Sequence, residues 1–313
     1  MKKSQQERRS TLKALLATAL LPFVGNAMAA DKTSRPRIGL ALGSGGARGL
    51  SHVLMFEVLE ELGLRPHRIS GCSIGAVMGA LYASGMSAGE IQATIEKLLG
   101  THGQDWFEEL LNRKWSRWLE LLEPADGPGG LLEAAPFIRY LRELTGVSRF
   151  EELEIPLQVV VTDFWERRMV VFDSGELWPA VQGSMALPGL FEPVLHQEQV
   201  LVDGGLSNPL PYELLLADSD LVIAVDVLGN RSPKDGDLMS LPSFFDNSFN
   251  TFQIMQYSIM EEKLQRRSPD ILVRPKIENV RVLEFHRYVE ILEQARPSAA
   301  KLREELQSMM EMP

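Results

Sequence analysis

The chain has one cysteine, Cys72, among 313 residues, so no disulfide can form within it. It also lacks an excess of positive charge: 32 Lys and Arg face 42 Asp and Glu, a formal charge of −10. That balance argues against nucleic acid as a partner and against docking on anionic lipid by charge. It still allows transient contact with a membrane surface through apolar side chains. The sequence contains no internal repeat and no low-complexity tract. The apolar stretch from Ala14 to Val24 falls short of the roughly 20 residues that a bilayer-spanning helix needs.

What the first thirty residues do contain is an export pattern. Lys2, Lys3, Arg8, Arg9 and Lys13 precede that apolar stretch, and Ala27-Met28-Ala29 follows as a small-x-small site. The pattern predicts a secretory signal peptide over residues 1–29, cleaved after Ala29. Arg8-Arg9-Ser10-Thr11-Leu12-Lys13 resembles a twin-arginine signal, with Thr11 where phenylalanine is usual. With no cysteine near the cleavage site to take a lipid anchor, the expectation is an exported, periplasmic protein. Residues 30–36 read as a polar linker and residues 37–311 as one domain.

Within that domain, short apolar runs alternate with amphipathic stretches. Ile38–Leu42, Ile69–Cys72, Leu221–Val227 and Ile271–Val273 read as buried strands, and Leu157–Thr162 with Arg168–Phe172 as a hairpin. Helices are predicted over 48–62, 74–83, 88–99 (capped by Ser87), 135–144, 178–185, 211–216 and 244–265. A last helix over 289–309 is expected to be interrupted near Pro297. The alternation predicts an α/β fold: a three-layer sandwich around a mostly parallel central sheet. Residues 103–130 carry Trp106, Trp115 and Trp118 and end in a Pro/Gly cluster. They read either as a surface helix pair or as a mobile apolar flap over a cleft.

Two glycine-rich bends carry the chemistry. Gly71-Cys72-Ser73-Ile74-Gly75 places a serine between an apolar run and a helix. A nucleophile on such a sharp turn needs small neighbours two positions away, and both are glycine here. The helix that begins at Ile74 directs its partial positive charge at the Ser73 oxygen. Gly43-Ser44-Gly45-Gly46-Ala47-Arg48-Gly49 is the natural partner. Ester hydrolysis builds an oxyanion, and Gly45 and Gly46 are the expected N–H donors. A dinucleotide loop would need glycine where Arg48 stands. Arg48 itself opposes the helix dipole, so it is expected to meet either a carboxylate or an anionic substrate group. Asp203-Gly204-Gly205 follows a strand and can project a carboxylate. His286 can serve a Ser–Asp–His triad, with Asp203 or Asp226 as the acid.

These motifs, together with Ser184-Met185-Ala186-Leu187-Pro188, Asn208-Pro209-Leu210-Pro211 and the segment 270–287, resemble the patatin-like phospholipases, here in the form of an exported bacterial member. The resemblance spans roughly residues 36–300. It implies a Ser–Asp dyad, with Ser73 as nucleophile and Asp203 as base, and an oxyanion loop of Gly45, Gly46 and Ala47. Gly43, Arg48, Gly71, Gly75, Gly204 and Gly205 complete its motifs. It further implies hydrolysis of acyl esters of phospholipids or related lipids, with no metal and no cofactor. Ser44 stands where many members carry a third glycine, which is accommodated if its side chain points away from the substrate. The rival readings are a Ser–Asp–His triad esterase and a non-catalytic lipid-binding protein on the same fold.

Overall fold

The computed structural model describes residues 36–99, 123–124, 130, 132–229, 241 and 244–311. The signal-peptide reading of residues 1–29 lies outside these. So does most of the 103–130 stretch.

In chain order the strands are β1 (Ile38–Leu42), β2 (Arg68–Cys72), β3 (Glu123–Pro124), β4 (Leu132–Glu133), β5 (Leu157–Asp163), β6 (Arg168–Phe172), β7 (Val194–His196), β8 (Gln199–Asp203), β9 (Leu221–Val225) and β10 (Ile271–Val273). The helices are α1 (His52–Glu61), α2 (Ile74–Ala83), α3 (Ala88–Leu99), α4 (Ala135–Thr145), α5 (Leu177–Met185), α6 (Phe244–Arg266) and α7 (Tyr288–Glu311). The main sheet runs β10-β9-β1-β2-β5-β8-β7, with β6 also paired to β5. From β10 through β5 all pairings are parallel, whereas β6, β8 and β7 join antiparallel.

The strand residues alternate between two cores, as a period of two requires. Leu40, Leu42, Ile223 and Val225 pack into one cluster with α1, α2 and α7 residues such as Phe56, Met78 and Leu302. Ala41, Val222 and Ala224 point the other way, onto Tyr212, Leu215 and Met260 of α6. Two cores on opposite faces of one mostly parallel sheet make the three-layer α/β sandwich that the alternation predicts.

The register at β5 positions the site. Its first half pairs with β2, ending at Cys72↔Val160. There β2 stops and the chain turns into α2. β5 continues, and the vacated edge is taken by β8, starting at Val161↔Asp203. Because β6 covers Val159 through Asp163 on the opposite edge, β8 can pair only where β2 has left.

Four local predictions need correction. The 211–216 helix is a single 3-10 turn, Tyr212–Leu214. The 221–227 strand ends at Val225, where Asp226 turns its carboxylate to the Leu228 N–H and to Arg274. The first helix starts as a 3-10 turn over Gly46–Ser51 before α1 begins. Finally, α7 runs unbroken through Pro297. A proline inside a helix costs about 3 kcal/mol. The buried face of Ile291, Ala295, Ala299, Leu302 and Leu306 outweighs it, at about 1.5–3 kcal/mol for each large side chain.

Helix α2 starts directly over the strand ends, which is why Gly75 is small. A Cβ there would collide with the Leu42 carbonyl and lie 2.8 Å from the Gly43 oxygen. Gly75→Ala is expected to lose about 2–3 kcal/mol of stability, read by chemical denaturation. An unchanged unfolding midpoint would contradict this close packing.

Candidate active site

Ser73 sits between β2 and α2 with φ 55° and ψ −125°. A residue with a Cβ pays strain there, of order 1–3 kcal/mol, and needs fixed neighbours to hold it. Ser184 of α5 supplies them. Its Oγ accepts the Ser73 N–H at 2.8 Å and donates to the Val160 carbonyl at 2.6 Å. Ser184 is fully buried and clamps the strained turn to β5. The sequence marks Ser184 only as the first residue of the Ser184–Pro188 stretch that carries the family resemblance, and its clamping role depends on long-range contacts that no local spacing reveals.

The Ser73 hydroxyl donates to Asp203 Oδ2 at 2.7 Å. Asp203 Oδ1 accepts the Gly205 N–H at 2.7 Å. The Asp203 N–H donates to the Ala186 carbonyl at 2.9 Å, and its own carbonyl accepts from Thr162 Oγ1 at 2.9 Å. The aspartate is therefore held by four hydrogen bonds, two at its carboxylate and two at its backbone. It is 3% exposed, and burial pushes its carboxyl from 3.8 up to about 6, against the lowering effect of the Ser73 and Gly205 hydrogen bonds. A carboxylate titrating near 4 falls about 4 kcal/mol short as a base at neutral pH, and the raised value shrinks that to about 1.4 kcal/mol.

The glycine loop lies across from this pair. Gly46 has φ +58°, and any Cβ on it would strike Val282. Among the described residues neither the Gly45 nor the Gly46 N–H has an acceptor. The Ala47 N–H differs: it donates to the Val282 carbonyl at 2.8 Å, which takes it out of the donor set. Arg48 is 1% exposed and its Nε donates to the Gly45 carbonyl at 3.2 Å. In a planar trans peptide the C=O and N–H point opposite ways. Holding the Gly45 carbonyl thus turns the Gly46 N–H away from Arg48. Arg48 does not line the cavity, and its charge acts on Asp226 instead, so the carboxylate alternative describes it better than the anionic-substrate one.

Ser73, Asp203, Gly45 and Gly46 share one cavity of about 150 Å³. Leu50, Ile74, Met78, Phe137, Phe191 and Phe285 make most of its wall apolar. Of the described histidines, none lines it. His52 is buried against the Gly43 carbonyl at 3.1 Å, and desolvation brings its pKa down to about 4, so it is neutral. Asp226, the other candidate acid, is ion-paired with Arg274 at 2.8 Å and is absent from the cavity wall. Ser44 belongs to the cavity wall, while its Oγ is buried and has no hydrogen-bond partner among the described residues.

The patatin-like phospholipase profile matches residues 40–216, more than half of the sequence, and the chain belongs to that family. An uncharacterized NTE family protein of Mycobacterium bovis is 34% identical over 201 residues, 64% of this chain and 51% of that protein. The lysophospholipase NTE1 of Cryptococcus neoformans is 34% identical over 220 residues, 69% of this chain but 13% of the fungal protein. The chain thus spans about half the length of the mycobacterial relative and a small part of the fungal one. The crystal structure of VipD from Legionella pneumophila aligns at a TM-score of 0.45 and 16% identity, over 86% of this chain and 67% of that one, a likeness too distant to build on.

The raised carboxyl has a stability consequence. Folding lifts the Asp203 pKa from 3.8 to about 6, so the folded state favours the protonated form. Stability from this group is complete below about pH 4 and is lost as pH climbs through 6. Asp203→Asn cannot ionise and is expected to melt at or above the wild-type temperature at pH 8. A lower melting temperature at pH 8, with no deficit at pH 4, would contradict that burial argument.

Proposed function

We propose that this chain is a serine lipid acyl hydrolase that cleaves acyl esters of phospholipids or related lipids through a Ser73–Asp203 dyad. The observation that carries the reading is the 2.7 Å hydrogen bond from Ser73 to a buried carboxylate, at an apolar cavity with two amides that have no acceptor among the described residues. Membership of the patatin-like family supports it. Similarity to a fungal lysophospholipase makes lysophospholipid the first substrate to test. The export pattern of residues 1–29 supports action in the periplasm as part of the same reading.

The chemistry follows from the geometry. Asp203 accepts the hydroxyl proton as Ser73 Oγ bonds to the ester carbon. The Gly45 and Gly46 N–H groups hold the oxyanion, an interaction worth about 3–4 kcal/mol for each donor lost. The amino end of α2, beside Ser73, favours the same negative charge. The acyl chain lies along the apolar wall. The proton passes to the departing alcohol as the carbon–oxygen bond breaks, leaving Ser73 acylated. Water then repeats the sequence and frees the fatty acid.

Assays on lysophosphatidylcholine and a short-chain ester test this directly. Ser73→Ala and Asp203→Asn are each expected to cut kcat/KM by at least about 10³-fold. His286→Ala is expected to stay within about three-fold of wild type, since its side chain is not on the cavity wall. Loss on His286→Ala alone would replace the dyad with a triad, and an Asp203→Asn variant with full activity would end the proposal.

A further inference from the structure

The chamber at Ser73 has two kinds of wall. Met78 and Leu81 of α2, Thr94 and Ile95 of α3 and Leu141 of α4 are all buried. Phe249 and Phe252 of α6, with Val282 and Leu283, are half-buried. Met78, Leu81, Ile95 and Leu141 belong to the main core, whereas the half-buried four pack in a separate cluster with Leu187 and Phe191. One arm of the chamber therefore ends inside the core, and the other reaches a half-exposed rim.

The closed arm runs along α2. Ile74, Val77, Met78 and Leu81 line the chamber, and their spacing puts them in a single stripe on one face of that helix. The stripe begins at the residue after Ser73 and rises about 10 Å by Leu81, at about 1.5 Å per residue. Its far end is apolar. The hydroxyl that lines it there, Thr94 Oγ1, donates to the Glu90 carbonyl at 2.8 Å, so its proton is spent within α3.

A guest for this arm can be measured. An extended alkyl chain, with bonds of about 1.5 Å and angles near 111°, advances about 1.25 Å per carbon. The stripe therefore matches about eight carbons laid in line. The end wall cannot give way cheaply, because a packed interior resists even one extra methylene.

We propose that the α2 stripe is a ruler for the acyl chain, with Leu81 as its stop, and that the substrates are medium-chain acyl esters of about eight carbons. The inference rests on the acyl-hydrolase reading. The scissile carbonyl sits at Ser73, the alkyl tail fills the closed arm as far as Leu81, Ile95 and Leu141, and the alcohol departs through the half-exposed arm.

A saturated series of p-nitrophenyl esters from butyrate to myristate, hydrolysed by the full chain in one fixed detergent, reads the ruler. The value of kcat/KM is expected to rise about four-fold per methylene, the worth of burying one, up to about the octanoate and then to stop rising. Leu81→Ala is expected to move that break about two carbons longer, into the space the leucine vacates. Leu81→Phe is expected to move it shorter, and it carries the test if Leu81→Ala fails to fold. Lost stability alone would lower the rate on every ester alike and leave the break in place. A break that stays at the same length in the folded variants, or a wild-type rate that climbs unbroken to the myristate, overturns the ruler and leaves the hydrolase reading standing. A wild type that hydrolyses no ester of the series overturns both.

Discussion

The hydrogen bond between Ser73 and Asp203, residues 130 apart in sequence, depends on a gap in the sheet. Strand β2 leaves β5 after Cys72, and β8 enters the same edge one residue later with Asp203. Nucleophile and carboxylate thus meet as consecutive occupants of one edge. The glycines around them serve this meeting. A Cβ on Gly204 would strike the Val160 carbonyl, so only a bare backbone lets the Asp203 turn settle against β5. Ser184 ties the opposing turn to that same carbonyl. Val160 is the point to which both halves of the site are fixed.

Of the three buried aspartates at strand ends, Asp163, Asp203 and Asp226, the last two differ in surroundings that separate their roles. Asp226, after β9, accepts from the Leu228 N–H and pairs with Arg274, which is also bound to Glu261. Asp203, the last residue of β8, meets only neutral donors: the Ser73 hydroxyl and the Gly205 amide. Burial raises the pKa of both, but only Asp226 has a cation opposing that rise. A carboxylate with a permanent cation beside it gives up its basicity to structure. One held by neutral donors keeps a proton affinity useful near neutral pH.

The parts of this arrangement that follow from local pattern were legible in the sequence. The buried strands, the Gly71–Gly75 turn and the glycine loop each combine an apolar run with residues that only a sharp bend requires. The α/β class follows from their alternation. Long-range partners left no such trace. That Ala47 gives its N–H to Val282, 235 positions later by the numbering, cannot be read from either segment. The β7 strand was hidden because its turn to β8 uses Gln197 and Glu198, both with positive φ, where asparagine and glycine are the usual signal. Pro297 misled in the opposite sense: a strong local rule gave way to a buried helix face that only tertiary packing reveals.

The most direct test of the central claim is the rate at which a fluorophosphonate labels Ser73 as pH varies. If Asp203 is the base, labelling by wild type rises along a single sigmoid with its midpoint near the carboxyl value of about 6. In Asp203→Asn that sigmoid disappears and the residual rate is flat across the same range. A midpoint that survives Asp203→Asn unchanged would mean that another group takes the proton, and the dyad would have to be abandoned.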